Sequence, residues 1–464
     1  MRLLKSIISS AIPVLINLEA MAFIGMVDLD LAGRLSAAAQ AAVGLGDQLL
    51  FLTSTAATGL SVATCAIVSR YFGAGNFSRA RTAVKAGLMV ATISGIVALF
   101  AGLVFAESFV RLLSSDREVI TYGARYIQLC AIGSLPYVMM IVIASIFRAI
   151  GKTAESLHLA LTAAAISVIL SYAIFLLPNR FSHSLDALCL AWIIGAYTGL
   201  GVGSIVLLKH LKKLGADHTR EAAYNFGVQG TDERQRPRHA QKELRQLRKF
   251  VKLMSIMGGA VVLADSSTLA TDFLVYKLLS SASDATNMQA AWTIFLKLEE
   301  TFAIMPLTAL ALAFAAVVGQ SIGQNQEHET KRCLSFLLAG SSILLALSGT
   351  FLAAAPQVMA YFTHSDQTVI NWTQQLLALT PLFFPLLGVR LLMFSYLEGA
   401  GQTSEPMRMA LLGNAIKLIV GFLLLDVMSL GMIGLSVAIL VSRSFLAVAS
   451  VGSLAARFKT VQPI

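Results

Sequence analysis

Long apolar stretches alternate with short polar ones along the whole chain. Twelve of them lie near 7–30, 43–68, 86–106, 121–147, 157–177, 187–208, 253–276, 288–318, 333–355, 370–397, 409–427 and 431–456. A helix needs about 20 apolar residues to cross the hydrocarbon of a bilayer. The pattern therefore predicts an all-α polytopic membrane protein with twelve transmembrane helices. The opening "MRLLKSIISSAIPVLINLEAMAF" has the charged start and apolar run of a signal peptide. Glu19 interrupts that run and no A-x-A site follows, so an uncleaved first span is the better reading.

Composition supports a lipid environment. Of 464 residues, 56% are hydrophobic and 13% charged, against roughly 25% charged in soluble domains. The mean hydropathy is +0.75. Cys65, Cys130, Cys189 and Cys333 fall in or beside apolar runs without paired spacing, implying neither a disulfide framework nor a metal site. The net charge of +10 would suit nucleic acid, but its distribution points elsewhere. With a cytoplasmic N-terminus, loops and tails on that side collect 25 of the 35 Lys and Arg; the opposite loops hold 5 and the spans 5. The positive-inside rule puts both termini in the cytoplasm, and the plasma (bacterial inner) membrane is the expected location. No nucleic-acid partner is expected.

The chain repeats itself. A shift of 250 residues lays "SDREVI" (115–120) on "SDQTVI" (365–370) and "FRAIGKTAE" on "LEGAGQTSE", and brings Val68 and Gly73 onto Val318 and Gly323. This predicts a six-helix lobe at 1–209, a basic cytoplasmic linker at 210–252 and a second lobe at 253–464. An even number of helices per copy relates the lobes by a pseudo-two-fold axis along the membrane normal, an arrangement found in transporters that bind substrate between two halves. The repeat also disposes of a nucleotide loop at Gly151-Lys152-Thr153. A P-loop needs glycine where Ile146 stands and a strand in front, and the second copy replaces Lys152 with Gln402. A glycine turn between helices is the plainer reading. In the linker, "AQKELRQLRKFVK" places Leu244, Leu247 and Val251 on one face among basic residues. That suits a helix on anionic headgroups, or equally a solvated extension of span seven.

Ionisable groups inside spans cost roughly 2.5 to 3.5 kcal/mol each at mid-bilayer, which makes them functional candidates. The first run carries Asn17, Glu19, Asp28 and Asp30, and Asp47 follows near the outer surface. At about 100° per residue, Asn17 and Asp28 share a face while Glu19 and Asp30 take the opposite one. The second lobe offers Asp265 and Asp272 on helix seven and Glu299 and Glu300 on helix eight, against Lys297, Arg390, Lys417 and Arg443. Four acids and four bases permit complete internal pairing, with Lys297 and Glu300 at helix-neighbour spacing. The alternative is a charged pocket for a zwitterionic or partly anionic substrate, with Arg390 as its anion contact and Asn17 also lining the cavity. Met139, Met140, Phe383 and Phe384 fit core or lipid packing better than a cavity wall. The seven His residues are scattered, mostly at span ends or in loops, and suggest no ligand set.

Pro13 followed by Asp28 in "GMVDLDLAGRLSAAAQAAVGL", then "VSRYFGAGNFSRARTAV" and the repeated "GKT" and "GQT" turns, resemble the multidrug and toxic compound extrusion (MATE) family over essentially the whole chain. The resemblance implies export of small organic compounds, often cationic or amphipathic, against an inward flow of protons or sodium ions, by a carrier rather than an enzyme. It nominates Asp28 as the ion-coupling acid and Pro13 as the point where helix one bends; Glu19, as an acid inside the first run, is the second ion-coupling candidate. A structural role for Asp28 near the outer surface is the alternative. It implies no cofactor beyond Na+ as a possible coupling ion. Membrane lipids, the substrate and the ion are the expected partners of a monomer. Some members carry Asn and Asp on helix five, where this chain has Ser167 and Ser171, or Asp on helix ten, where it has Leu387 and Arg390. A flippase for lipid-linked precursors or polysaccharide shares the architecture and would want a strongly cationic cavity, for which Arg125, Arg390 and Arg443 are candidates.

Overall fold

The computed structural model describes residues 2–113, 117–176, 185–225, 236–280, 284–355, 367–428 and 430–460. All regular structure among them is helical: α1 (Arg2–Leu35), α2 (Ala37–Gly73), α3 (Phe77–Leu113), α4 (Arg117–Ala149), α5 (Thr153–Phe175), α6 (Leu185–Asn225), α7 (Arg236–Leu279), α8 (Ala285–Glu299), α9 (Met305–Gly323), α10 (Glu327–Ala354), α11 (Gln367–Leu377), α12 (Thr380–Gly399), α13 (Ser404–Phe422) and α14 (Gly431–Thr460). Among the described residues, twelve segments are long and apolar enough to cross a membrane. They correspond one for one to the twelve apolar runs, and the protein is an integral membrane protein.

The tenth run departs from expectation. Residues 370–397 read as one span, but the chain breaks at Ala378–Leu379 into α11 and α12, and only α12 meets the length and hydropathy of a span. Pro381 is the cause. It lacks the N–H that would bond the Leu377 carbonyl and disfavours helical geometry at Thr380. The Thr380 hydroxyl donates to the Leu377 carbonyl (2.6 Å) and lies 2.9 Å from the Gly349 carbonyl of α10. Two other prolines are handled alike. Pro136 in α4 frees the carbonyl of Ile132, which accepts from the Tyr197 hydroxyl of α6 (3.5 Å). Pro306 frees that of Phe302, which accepts from the Ser348 hydroxyl of α10 (3.3 Å). Backbone polar groups in hydrocarbon must find protein partners, and neighbouring hydroxyls supply them here.

The 250-residue repeat is visible in backbone hydrogen bonds. After α4, Ile150, Gly151 and Lys152 donate to the carbonyls of Ile146, Arg148 and Phe147; after α12, Ala400, Gly401 and Gln402 donate to those of Tyr396, Glu398 and Leu397. Gly151 (φ +75°) and Gly401 (φ +81°) both sit in the left-handed region. The turn is thus a helix C-cap, which is why glycine recurs and why no phosphate loop forms. Of the segments that first suggested the repeat, residues 115–116 and 365–366 lie outside the described residues.

Contacts divide the chain into two compact units. One comprises Met1–Ala11, Ala260–Val318 and Gln326–Ile464; the other comprises Ile12–Gly259 and Gly319–Asn325. In the first, the core gathers Trp292, Phe295, Phe383, Phe384, Leu387, Leu376 and Leu435, all essentially without exposure. Phe383 and Phe384 are therefore packing residues, as is Met140, buried in the other unit. In that second unit, Gly73 meets the backbone of Gln320 and Gly323 meets that of Arg70, so close that an added Cβ would lie 2.2 and 2.1 Å from a carbonyl oxygen. The basic stretch before span seven is the N-terminal part of α7, continuous with the span. Phe250 is buried against Tyr71 (5.4 Å between ring centroids), and Glu243 pairs with Lys85 at 2.6 Å. The linker's residues 226–235 lie outside the described residues.

Replacing Gly151 by Ala forces a side chain into left-handed backbone, where the nearest side-chain atom is 3.8 Å away and the cost is conformational. A loss of about 1–2 kcal/mol is expected. Gly259→Ala, with nothing within 4 Å, should leave stability unchanged or raised. Thermal unfolding of the two variants in detergent checks the difference.

Candidate functional site

Helix α1 runs unbroken through Pro13 and sorts its polar residues by face. Asp28 is buried at 5% exposure. Asn17 and Pro13 are half-buried, while Glu19 and Asp30 are exposed. Asp30 pairs with Arg34 one turn on, at 2.8 Å. Near Asp28 on α1, Val27 and Leu31 join Tyr126 and Cys130 of α4 and Leu188 and Cys189 of α6 in one apolar cluster. Cys189 is within electrostatic range of both Asp28 and Asp186. Arg125 is occupied by Asp186 at 3.1 Å in an exposed pair. Ser167 and Ser171 are buried on α5, and Ser167 backs onto Gly195. The side chain of Asp47 lies outside the described residues.

The other unit carries the denser group of charges. Three of the four expected pairs are made. Lys297 meets Glu300 at 2.7 Å on one helix, Lys417 of α13 meets Asp272 of α7 at 2.7 Å, and Arg443 of α14 bonds Glu299 at the end of α8. The pairs differ in environment. Lys297 and Glu300 keep 68% and 36% of their side-chain surface, whereas Arg443 and Glu299 keep 14% and 5%. Aromatic faces complete the cations: Lys417 lies 5.0 Å from the Trp292 ring centre and Arg443 4.7 Å from that of Phe383. Glu299 owes its position to a π-helical turn, Glu300–Ile304, between α8 and α9. The wider turn slips the register of the eighth span by one residue, and Pro306 follows at once. Asn414 of α13 donates to the hydroxyls of Ser267 (2.8 Å) and Thr268 (3.1 Å), extending a polar seam along α7.

The fourth pair does not close. Asp265 and Arg390 feel each other electrostatically, yet neither is within ion-pair distance of a partner among the described residues. Arg390 sits on α12 with its guanidinium 5.8 Å from the Phe394 ring centre, and its Nε is buried without a hydrogen-bond partner. Arg443 and Glu299 are within its range, and so is Glu398, eight residues further along α12. Sequence reading passed over Glu398 because it lies in the repeated turn segment, where Arg148 takes the equivalent place 250 residues earlier. The available signal was its separation from Arg390, which leaves the two about 80° apart on the helix. Within this unpaired group Asp265 is exposed, while Arg390 and Glu398 are half-buried. The group can receive a cation, an anion, or one molecule bearing both.

Twelve membrane-length helices that keep unpaired ionisable groups among them make the chain a candidate transporter. The MatE family profile matches residues 13–173 and 257–423, and the chain belongs to that family. Among curated relatives, a probable multidrug resistance protein NorM of Bradyrhizobium diazoefficiens is 24% identical over 399 residues, covering 83% of this chain and 78% of its own. The NorM of Oceanobacillus iheyensis is 22% identical over 373 residues, 80% of this chain and 78% of its own. The solved Vibrio cholerae MATE transporter VcmN in its bent form superposes with a TM-score of 0.83 at 18% identity, covering 99% of both chains. A MOP-superfamily transporter from Pyrococcus furiosus, whose binding pocket is described as of reverse polarity and suggesting a different function, gives 0.80 at 19% identity over 98% of this chain and 96% of its own. The fold is that of these transporters.

Glu299→Gln strands the Arg443 charge in a buried site and should cost about 3–5 kcal/mol. Adding Arg443→Met should recover most of that loss, whereas Lys297→Ala at the exposed pair should change stability by about 1 kcal/mol or less. A double-mutant cycle on unfolding in detergent measures all three.

Proposed function

We propose that this protein is a secondary active exporter that moves small organic compounds out of the cell in exchange for protons or sodium ions by alternating access. The observation that carries the reading is the unclosed charge group of Asp265, Arg390 and Glu398, left open where every neighbouring charge has been matched. Family membership and the multidrug names of its relatives support it. The chain is a carrier, sits in the bacterial inner membrane with both termini in the cytoplasm, and works as a monomer among its lipids.

Asp28 is the coupling acid in this reading. A proton arriving from outside neutralises this buried carboxylate, the packing of α1 against α4 and α6 changes, and Pro13 gives that helix its point of bending. Loss of the proton to the cytoplasm resets it. One proton entering under 100 mV supplies about 2.3 kcal/mol, and one pH unit adds about 1.4. Together these sustain a gradient of several hundredfold for a neutral substrate, without nucleotide. A sodium ion, held by carboxylate and carbonyl oxygens, would drive the same cycle.

Arg390 refines the substrate class. With its Nε unfilled beside two carboxylates, the group matches a zwitterion better than a simple cation: an ammonium toward Asp265 and Glu398, a carboxylate toward Arg390. The flippase alternative fares worse. Lys297, Lys417, Arg443 and Arg125 are each spent on a carboxylate, so little cationic surface remains for a diphosphate.

Inside-out vesicles under imposed proton or sodium gradients test the scheme with paired substrates, one a cation and one a zwitterion of the same ring system. Asp28→Asn should abolish gradient-driven uptake of both. Arg390→Gln should reduce uptake of the zwitterion while sparing the cation. Full uptake by the Asp28 variant, or dependence of transport on added ATP, would overturn the coupling scheme.

A further inference from the structure

Cys130 of α4 and Cys189 of α6 face each other with their sulfurs 3.5 Å apart, both buried. The Cys189 sulfur also lies 3.7 Å from the Tyr126 carbonyl, so Cys130 donates to Cys189 and Cys189 to the backbone, and both thiols are held in line. Cys65 and Cys333 are also reduced, and no other sulfur pair is in contact among the described residues. A disulfide bond is about 2.05 Å long, so closure asks the sulfurs to approach by about 1.5 Å, within the reach of small side-chain adjustments.

Access decides whether such a pair is inert. Buried thiols resist large or charged oxidants. Here Cys130 forms part of the wall of a cavity of about 400 Å³ between α2, α3 and α4, whose other walls include Thr53, Ile93, Val97, Ile127 and Ser134. An apolar cavity of that size admits a small neutral molecule and excludes a charged tripeptide thiol.

We propose that Cys130 and Cys189 form a peroxide-sensitive dithiol whose closure clamps α4 to α6 beside Asp28 and stops the transport cycle. The oxidant is a small neutral hydroperoxide. The Cys130 sulfur attacks one peroxide oxygen, the O–O bond breaks, and water or alcohol leaves, making Cys130 a sulfenic acid. The Cys189 sulfur then attacks the Cys130 sulfur; the S–O bond breaks and the hydroxyl departs as water with the Cys189 proton. Two electrons pass from the thiols to the peroxide, and one S–S bond forms. The clamp falls in the apolar cluster that α1 joins through Val27 and Leu31, on either side of Asp28 in sequence, and Cys189 is in electrostatic range of that carboxylate. Its effect on transport rests on the proposed coupling role of α1; the disulfide itself does not.

The full chain, purified in detergent and treated with hydrogen peroxide, should lose the mass of two hydrogens and yield a linked peptide joining Cys130 to Cys189, reversed by dithiothreitol. In vesicles, peroxide should abolish gradient-driven uptake and dithiothreitol should restore it. Cys130→Ser and Cys189→Ser should each remain active and insensitive to peroxide. A chain with only Cys65 and Cys333 replaced keeps the pair as its sole thiols and should behave as the parent, which covers the case in which a Ser variant does not fold. Unmodified sulfurs, or separate oxidation of each to sulfinic acid, would overturn the dithiol. A mapped disulfide with undiminished uptake would overturn the clamp. Absence of gradient-driven uptake before any peroxide would count against the exporter reading, while peptide mapping would still judge the dithiol.

Discussion

A charge inside a membrane span must be matched, and this one constraint arranges most of the polar structure. Moving an ion from water into a low-dielectric interior costs several kcal/mol even after relaxation, and attraction to a partner offsets this only when geometry is good. Lys417 on Asp272 and Arg443 on Glu299 satisfy that demand across helices, each with an aromatic face completing the cation's surroundings. The matched pairs also fasten α7 to α13 and α8 to α14. Against that background an unmatched group stands out, because nothing about packing requires it. Asp265, Arg390 and Glu398 are kept at a cost that stability alone does not explain.

The same solvent acts on the backbone. Three prolines each take a donor away from a carbonyl that lipid cannot satisfy, and a hydroxyl of Tyr197, Ser348 or Thr380 makes good the loss. The break at Leu379 and the wide turn at Glu300–Ile304 both fall in the unit that holds the unmatched charges, the turn directly after Glu299. Irregular backbone is tolerated at membrane depth only where protein or a lined cavity surrounds it. Its position next to Glu299 and on the approach to Arg390 therefore agrees with a functional site.

How far the sequence could be read follows from the range of the forces involved. Span number and approximate limits were legible because hydropathy is a local sum, and the six-helix repeat because Gly151 and Gly401 answer the same backbone demand. Helical geometry alone separated Asp28 from Glu19 and Asp30, and the structure buries the first while exposing the others. Counting acids against bases foresaw pairing but not its incompleteness, since which cation reaches which carboxylate depends on contacts between helices distant in sequence. Glu398 stayed hidden because a turn motif explained its neighbourhood. The break before Pro381 was hidden too, because hydropathy runs across it undisturbed. The Cys130–Cys189 contact spans 59 residues and has no sequence signature at all.

The hydroxyls that attend the prolines have a mechanical consequence. A side-chain hydroxyl turns about a single bond, so its proton can be offered to another acceptor at little cost, whereas a backbone N–H is fixed by its peptide plane. Pro136 and Pro306 are thus joints with one removable pin each. Tyr197 pins α4 from α6, and Ser348 pins the eighth span from α10. A helix fastened in this way can flex without exposing a bare carbonyl to lipid, provided that a replacement donor arrives as the first withdraws.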